Sequence, residues 1–428
     1  MAEQIEKKER VPSILSKVKL LPGDRVLWVI IVILLVVSLL VVYSSVAKMG
    51  YSPIMPGTTA SHLRGHFVAM FLSVIALLVV YRIDSKYFRK AATLLYILAL
   101  VLTVAAYIPG IGREINGAAR TISIAGIGFQ PSELLKVATI LFLAQQLSAR
   151  QREIRTLRIM PSFNPFKWAL PEQKEIWRNG TLPVVVPVVV ACAVIVKAHT
   201  SSALLVFLIS LVMMYIGRVN PRELLKIIAA LAIAGALFVA LNLGRSETAS
   251  GRVGTWFEMW TTDRTKVRVR DLTDTDRSMI AIHDGGIVGV GAGRSVMRAK
   301  ITHPESDYIF AFFVEEYGII LAFFLVLLYL WIFYRAIRIF ENCDWIFAGL
   351  LELGLALLIT IQALLHIMVT INFIPETGQN LPLISHGGSS MICTAIAFGM
   401  ILSVSRQIEE GTLIPARNES SMEKNQGI

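Results

Sequence analysis

An acidic side chain stands at the start of a long apolar run in the stretch "THPESDYIFAFFVEEYG", residues 302–318. Asp307 directly precedes the run, and Glu315 and Glu316 follow about two helical turns later. A carboxylate in Asp307's position either caps a helix or accepts a proton as a general base. Since a charge near the bilayer centre costs roughly 2.5–3.5 kcal/mol, buried acids require partners or a water-filled cavity. We expect Glu315, about 12 Å further along a helix, to face a cavity open to Asp307.

Two other loop stretches have polar residues in distinctive patterns. The stretch "GREINGAARTISIAGIGFQPSELLK" (112–136) is a Gly-rich loop that ends in a helix start, with Pro131 in the first turn. The stretch "IPETGQNLPLISHGGSS" (374–390) is rich in Pro and Gly and presents backbone N–H groups and hydroxyls. Amide nests and helix N-termini hold phosphate well, so the second stretch suits a phosphate group. Simple helix capping for the first stretch and a plain turn for the second are the alternatives.

Two further patterns have less specific interpretations. The stretch "HDGGIVGVGAGRS" (283–295) has closely spaced glycines, but no strand-to-helix unit surrounds it, so a nucleotide-binding fold is rejected. Gln362 and His366 are four residues apart and share a helix face. They fit interhelical hydrogen bonding or a substrate path, and the sequence leaves both open.

The elements that must position these residues are membrane helices. Hydrophobic residues make up 55% of the chain and charged residues only 17%, which is typical of a polytopic membrane protein. The basic excess lies in short segments between apolar runs, which indicates cytoplasmic loops rather than nucleic-acid binding. The three cysteines form no disulfide framework or metal pair. The first apolar run, from Val26, is expected to be a retained span rather than a removable signal peptide.

The fold class predicted is all-α, a bundle of about ten transmembrane helices. The apolar runs are too long and continuous for barrel strands, and backbone groups cannot stay unpaired in lipid. The predicted spans are 26–47, 65–82, 91–109, 132–148, 182–197, 201–217, 223–243, 308–334, 346–371 and 389–405.

Basic residues predict the orientation of the bundle. Every even-numbered connection is rich in Lys or Arg, which places both termini in the cytoplasm. The segment 244–306, between the seventh and eighth spans, is then a large extracytoplasmic loop, and its "GTWFEMWTTDR" fits either an interfacial helix or a packed loop core. We divide the chain into a flexible tail (1–22), a transmembrane domain (23–406) and a second flexible tail (407–428), with both tails cytoplasmic.

Four of these stretches, taken in order, resemble the signatures of a known family. "NGAAR…GFQPSELLK", "SMIAIHDGGIVGVGAG", "PESDYIFAFFVEEYG" and "LPLISHGGSS" are similar to the motifs of the SEDS family, the FtsW/RodA/SpoVE proteins of bacterial wall synthesis. The resemblance runs from about residue 26 to 406 and includes the ten-span layout. It implies a peptidoglycan glycosyltransferase that polymerises lipid II, an undecaprenyl-pyrophosphate-linked disaccharide peptide, at the outer face of the cytoplasmic membrane.

The resemblance also implies roles for individual residues. Asp307 takes the place of the family's essential aspartate, and we expect it to be the general base. Glu315 and Glu316 match the acidic pair that follows. The remaining candidate substrate-binding residues are Arg120, Gln130, Ser132, Glu133, Lys136, Ser385, His386, Gly387, Gly388, Ser389 and Ser390. Arg120, Lys136 and the 385–390 turn are expected to stabilise the leaving pyrophosphate.

Three departures from the family pattern stand in this sequence. The family often has Arg-Trp where this chain has Arg120 and Thr121, and commonly Tyr where it has His386. "AHTSSA" (198–203) replaces a Pro-Asp-Leu-Gly-Thr stretch and lacks its acid, so no carboxylate role is assigned there. The form of the 109–134 motif favours the division branch of the family over the elongation branch.

The implied partners are those of wall synthesis, and other functions remain open. They are lipid II, a class B penicillin-binding transpeptidase and other division proteins, with the chain in the bacterial inner membrane at the division septum. No cofactor is certain; a divalent cation such as Mg²⁺ or Mn²⁺ would also stabilise the leaving group, but no ligand set identifies one. A lipid flippase and a non-catalytic division scaffold are the competing functions, since broken helices and polar residues also suit transport.

Overall fold

A computed structural model describes residues 21–46, 59–115, 118–124, 127–151, 154, 171–240, 246–261, 272–302 and 305–413. Most of the two predicted tails therefore lies outside the described residues. The helices are α1 (Arg25–Val46), α2 (Thr59–Arg82), α3 (Ser85–Ala105), α4 (Pro131–Ala149), α5 (Pro171–Ile176), α6 (Val186–Ala198), α7 (Thr200–Ile216), α8 (Pro221–Ala240), α9 (Ser246–Thr261), α10 (Asp274–Gly285), α11 (Ile309–Glu341), α12 (Ile346–Thr370) and α13 (Gly388–Glu409). A π-helical segment, Trp177–Val185, joins α5 to α6.

The predicted all-α membrane fold is confirmed. Each of the ten predicted spans overlaps a helix, and seven helices in the described part of the chain are long and apolar enough to cross a membrane. Large apolar side chains cover the outside of the bundle, as expected where lipid replaces water; examples are Phe71, Leu94 and Phe323. α12 and α13 are the most buried of the long helices and form the centre. The count of ten spans and their orientation stay predictions.

A small sheet leads into α4. Its strands β1 (Gly112–Ile115), β2 (Ala118–Ile124) and β3 (Ile127–Phe129) pair antiparallel in that order. The last strand ends at Phe129, and the next residue, Gln130, is the N-cap of α4. Pro131 occupies the first helical turn as predicted. The sheet itself was missed, although the Asn116–Gly117 pair is a strong hairpin signal.

α11 is interrupted at Gly318, which has φ 80° and ψ 170°. The 23 residues after the break, 319–341, make a helix of about 34 Å, enough to cross the bilayer without the segment before it. The segment before it, 309–317, has all but one of its side chains buried, whereas Ile319, Ile320 and Phe323 are exposed. Glu315 and Glu316 therefore lie inside protein and need not lie in the hydrocarbon.

Candidate active site

Asp307 lies in a turn that docks against the start of α13. The N–H of His386 donates to the carbonyl of Glu305 at 2.9 Å, and Ser385 Oγ donates to the carbonyl of Ser306 at 3.0 Å. Asp307 is partly exposed. The structure thus brings together two stretches, 302–318 and 374–390, that the sequence singled out separately. We call the end of the bundle that carries them the outer end, following the predicted orientation.

The 381–390 segment presents a helix start beside this turn. Ser385 Oγ also accepts from the N–H of Leu381 at 2.8 Å, so one hydroxyl fixes both ends of the bend. Gly387 is the N-cap of α13, where a Cβ would lie 2.9 Å from Asn380 Nδ2. The first N–H groups of a helix have no partner within it, so the helix start at Gly388, Ser389 and Ser390 can accept an anion.

The α4 candidates form a buried ion pair instead of an open cationic surface. Lys136 is 2% exposed, its Nζ lies 2.9 Å from Glu133 Oε1, and it donates to Gln362 Oε1 at 3.1 Å. Ser132 is also buried, and Gln130 Nε2 donates to its hydroxyl at 3.1 Å. The charge of Lys136 is therefore largely matched within the protein.

Gln362 and His366 connect this pair to the loop before α13. Gln362 Nε2 donates to the carbonyl of Asn380 at 2.9 Å, and His366 Nδ1 lies 2.7 Å from the carbonyl of Gln379. Gln379 Nε2 in turn donates to the hydroxyls of Ser201 and Ser202, at 3.0 and 2.8 Å. Hydrogen bonding therefore accounts for Gln362 and for Nδ1 of His366, whereas Nε2 of His366 is buried without a partner among the described residues. It also explains "AHTSSA": its serines anchor the same loop.

Glu315 is buried against a loop in the described part of the chain, which differs from our expectation that it faces a cavity open to Asp307. Its side chain is 1% exposed and accepts from Ser295 Oγ at 2.5 Å and from the N–H groups of Val296 and Met297 at 2.8 and 3.2 Å. The eight-residue spacing placed Glu315 on the helix correctly but could not show the loop that covers it. Its role is to hold that loop.

Glu316 holds the same loop from its other side. It accepts from Ser44 Oγ at 2.6 Å and from the N–H of Gly293 at 2.9 Å, and Arg298 Nη1 lies 3.9 Å from its Oε1. Arg298 also donates to the carbonyl of Ser44 and, at 2.8 Å, to that of Gly293. The acidic pair therefore joins α1, the 293–298 loop and the first segment of α11.

The glycine-rich stretch packs backbone against backbone on the break in α11. The N–H groups of Val290 and Gly291 donate to the carbonyls of Glu315 and Glu316 at 2.9 and 3.0 Å, and Ile319 N–H donates to the carbonyl of Gly286 at 3.0 Å. A Cβ on Gly289 would lie 2.2 Å from the Glu316 carbonyl oxygen. Close approach of two backbones, not nucleotide binding, explains these glycines.

A histidine that the sequence reading missed lies under the 385–390 turn. His66 of α2 is 1% exposed, its Nε2 lies 3.2 Å from Ser38 Oγ, and that hydroxyl donates to the carbonyl of Ile384 at 3.0 Å. The rings of His66 and His386 are 5.3 Å apart. A lone histidine within a predicted span was the available signal.

Tyr308 connects the Asp307 turn to a polar cavity of about 400 Å³. Its hydroxyl lies 3.0 Å from Thr275 Oγ1. Burial, and then the nearby Glu376 carboxylate, raise the pKa of Tyr308, so its hydroxyl stays protonated at neutral pH. Arg252, Trp256, Asp274 and Glu376 also line the cavity. The sequence analysis had assigned none of these four residues to the site. It had singled out Trp256 only as part of an interfacial helix or a packed loop core, and Glu376 only as part of the 374–390 stretch.

Arg120 and the metal site remain unassigned. Arg120 lies in β2, but its side chain is outside the described part of the molecule. Among the described residues, no three His, Cys, Asp or Glu side chains converge as metal ligands. The described residues thus offer no protein cage for a divalent ion.

The comparisons with known proteins bear directly on this arrangement of motifs. The sequence profile of FTSW_RODA_SPOVE, described as a cell cycle protein family, matches residues 24–410. The chain belongs to this family. It is 26% identical to the "Probable peptidoglycan glycosyltransferase FtsW" of Geobacter sulfurreducens, over 90% of this chain and 96% of that one. It is also 26% identical to the stage V sporulation protein E of Bacillus subtilis, over 90% and 97%.

Solved structures share the fold of this family member. A chain of a peptidoglycan synthase complex that coordinates polymerization and crosslinking superposes with a TM-score of 0.64 and 21% identity, covering 90% of this chain and 98% of that one. The rod shape determining protein RodA of Thermus thermophilus superposes with a TM-score of 0.58 and 21% identity, covering 90% and 97%. These likenesses support the membrane-embedded helical bundle.

Proposed function

We propose that this chain is a peptidoglycan glycosyltransferase that polymerises lipid II at the outer face of the cytoplasmic membrane. Relatives that match nine-tenths of the chain carry that activity in their names. The observation that carries the proposal is the docking of the partly exposed Asp307 turn on the start of α13. That contact supports the proposal, because glycosyl transfer between lipid-linked sugars can use a carboxylate as base and N–H donors to bind the leaving pyrophosphate.

Asp307 is the general base of this reaction. Its carboxylate takes the proton from the 4-hydroxyl of one lipid-linked disaccharide, and that oxygen attacks the anomeric carbon of the second substrate. The new C–O bond forms as the bond to the pyrophosphate breaks, and the isoprenoid pyrophosphate leaves. Tyr308 lines the adjoining polar cavity, where its neutral hydroxyl can donate to a sugar or phosphate oxygen.

The leaving pyrophosphate is stabilised by the start of α13 and by Arg120. The N–H groups at Gly388, Ser389 and Ser390, which have no partner within the helix, supply donors for the negative charge that develops on the leaving group. His386 lies at the same turn and supplies a further contact to the anion. Lys136, paired with Glu133, acts from behind this turn through Gln362 and the carbonyl of Asn380. Gln130 and Ser132, which bond each other, stand at the start of the same helix, α4. No step is assigned to a divalent ion.

The setting we propose is division. The relatives named FtsW, and a solved neighbour that coordinates polymerization and crosslinking, support a septal enzyme working with a class B penicillin-binding transpeptidase. Such a partner crosslinks the strands that this chain polymerises. Other division proteins then bring the pair to the septum.

A reconstitution separates polymerisation from lipid transfer. Purified chain in vesicles is given lipid II in one leaflet, with and without the transpeptidase partner, and both glycan strands and lipid transfer are measured. We expect strands without transfer, and loss of strands with Asp307→Ala. Transfer without strands would identify a flippase. Full function of Asp307→Ala in cells would identify a scaffold.

A further inference from the structure

An apolar groove opens between α7, α9 and the 374–377 segment. Its volume is about 470 Å³, within the range of small-molecule sites. It is lined mostly by apolar side chains: Leu204, Leu205, Leu208, Val253, Leu365 and Ile374. Leu204 is 64% exposed and Val253 52%, so the groove is open along its length rather than sealed within the bundle.

One cation, Arg252, is among the residues that line the groove. Arg252 of α9 lines it together with His199, Thr200 and Ser201, and Arg252 Nη1 donates to the carbonyl of Glu376 at 3.4 Å. Arg252 and Glu376 also line the polar cavity that contains Tyr308, so the apolar groove and the polar cavity adjoin at these two residues. An apolar groove lined by a single exposed guanidinium among its described residues fits an amphiphile with an anionic head.

The acidic groups near Arg252 limit how the head can sit. Asp274 is paired with Arg277 at 2.9 Å, which leaves the Glu376 carboxylate as the main competitor for the guanidinium. The guanidinium of Arg252 can bind a phosphate through two parallel hydrogen bonds. Because a pyrophosphate carries more negative charge than the Glu376 carboxylate, it can compete with that carboxylate for Arg252. The charges thus favour a phosphate-headed lipid over a neutral one.

We propose that this groove seats the isoprenoid chain of one of the two lipid-linked substrates, with Arg252 binding its pyrophosphate. The inference rests on the proposed function and deepens it. Polymerisation joins two lipid-linked molecules, so two chains must approach the Asp307 turn from different sides. The groove adjoins the cavity lined by Tyr308, the residue next to Asp307, whereas the ring of His66 on α2 lies 5.3 Å from that of His386 in the 374–390 segment.

Photocrosslinking tests the groove directly. The full chain in nanodiscs is mixed with a benzophenone-bearing prenyl phosphate, and crosslinked peptides are mapped. We expect crosslinks to residues 201–208 and 252–253 that excess undecaprenyl phosphate removes and excess phosphatidylglycerol leaves. Equal competition by phosphatidylglycerol would assign the groove to an ordinary phospholipid and overturn the proposal. Absence of crosslinks there would overturn it as well.

Variants link the groove to catalysis. Leu208→Trp fills it, and Arg252→Gln removes the charged hydrogen bond, so each should weaken crosslinking about tenfold or more. Both variants should raise the KM for long-chain lipid II. Leu208→Trp should leave the KM for a short-chain analogue unchanged. Leu94→Trp is the matched control, because Leu94 of α3 is 68% exposed and does not line the groove. It should change neither the crosslinking nor the KM values. If Leu208→Trp raised the KM equally for the long-chain and the short-chain substrate, the groove would not be the site of the isoprenoid chain.

The two proposals fail in different ways. Crosslinking requires no turnover, so crosslinks in the groove without glycan strands would retain the lipid site and remove the polymerase. Strands with normal kinetics in Leu208→Trp would retain the polymerase and remove the lipid site.

Discussion

At the scale of single residues, the three acids of the 302–318 stretch divide into two tasks. Asp307 is partly exposed at the outer end, whereas Glu315 and Glu316 are each 1% exposed and bound to a loop. Sequence alone identified all three, because acids beside a long apolar run are costly. It could not separate them, because the fold of the 293–298 loop onto the two glutamates is not visible in the sequence.

Ser385 is the residue whose loss should loosen the site most simply. Ser385→Ala removes the donor to Ser306 O and the acceptor for Leu381 N–H, leaving two backbone groups unpaired. We expect a loss of about 1–3 kcal/mol in the free energy of unfolding and slower polymerisation. Thermal unfolding in detergent measures the loss of stability. Ser210→Ala, whose hydroxyl bonds only within α7, should change stability little; an equal loss would remove the special role of Ser385.

Lys136 and Glu133 should depend on each other for stability. Lys136→Met leaves Glu133 as a buried charge without its partner, which costs about 3–5 kcal/mol. Adding Glu133→Gln removes that charge, so the double variant should regain most of the melting temperature. If the double variant were no more stable than Lys136→Met, the two side chains would not act as a pair.

At the scale of elements, the interrupted helix α11 and the glycine-rich loop form one structural unit. The break at Gly318 lets the carbonyls of Glu315 and Glu316 bond the loop, and the segment 309–317 then starts at the Asp307 turn. The sequence predicted one span over 308–334 and could not show the break, because a single glycine is tolerated in many helices. Only the long-range backbone pairing reveals why glycine is needed at 318.

Gly318→Ala should therefore disrupt the site from a distance. Its φ of 80° disfavours any side chain, and a Cβ would lie 2.3 Å from the carbonyl oxygen of Ile287. We expect a large fall in both melting temperature and polymerisation. Gly65→Ala is the matched control, since a Cβ there meets nothing within 4 Å. Wild-type stability in Gly318→Ala would show that the break has no structural role.

At the scale of the whole molecule, the apolar runs predicted the helices and the Lys and Arg residues predicted their orientation. Every predicted span overlaps a helix because each apolar run can satisfy its backbone only as a helix in lipid. The small sheet before α4 was missed because its strands are short. The joining of the 307 and 385 turns could not be predicted, since it depends on hydrogen bonds between two loops that lie about 80 residues apart in the sequence.

The orientation can be tested by thiol labelling of intact cells. In a Cys343→Ser background, Asp284→Cys at the predicted outer end should react with a membrane-impermeant maleimide. Glu341→Cys, at the C-terminal end of α11, should react only after permeabilisation. Both positions are exposed. The reverse pattern would place Asp307 in the cytoplasm, where the proposed reaction does not occur.

Polymerisation by purified Asp307→Asn tests the central claim most directly. The substitution keeps the size of the side chain but removes the base, and general-base catalysis contributes typically about 10²–10⁴-fold. With lipid II and the transpeptidase partner present, we predict that the rate of glycan synthesis falls at least about 100-fold. The melting temperature and membrane insertion should stay at wild-type values. Glycan synthesis at the wild-type rate would contradict the assignment of Asp307 as the base.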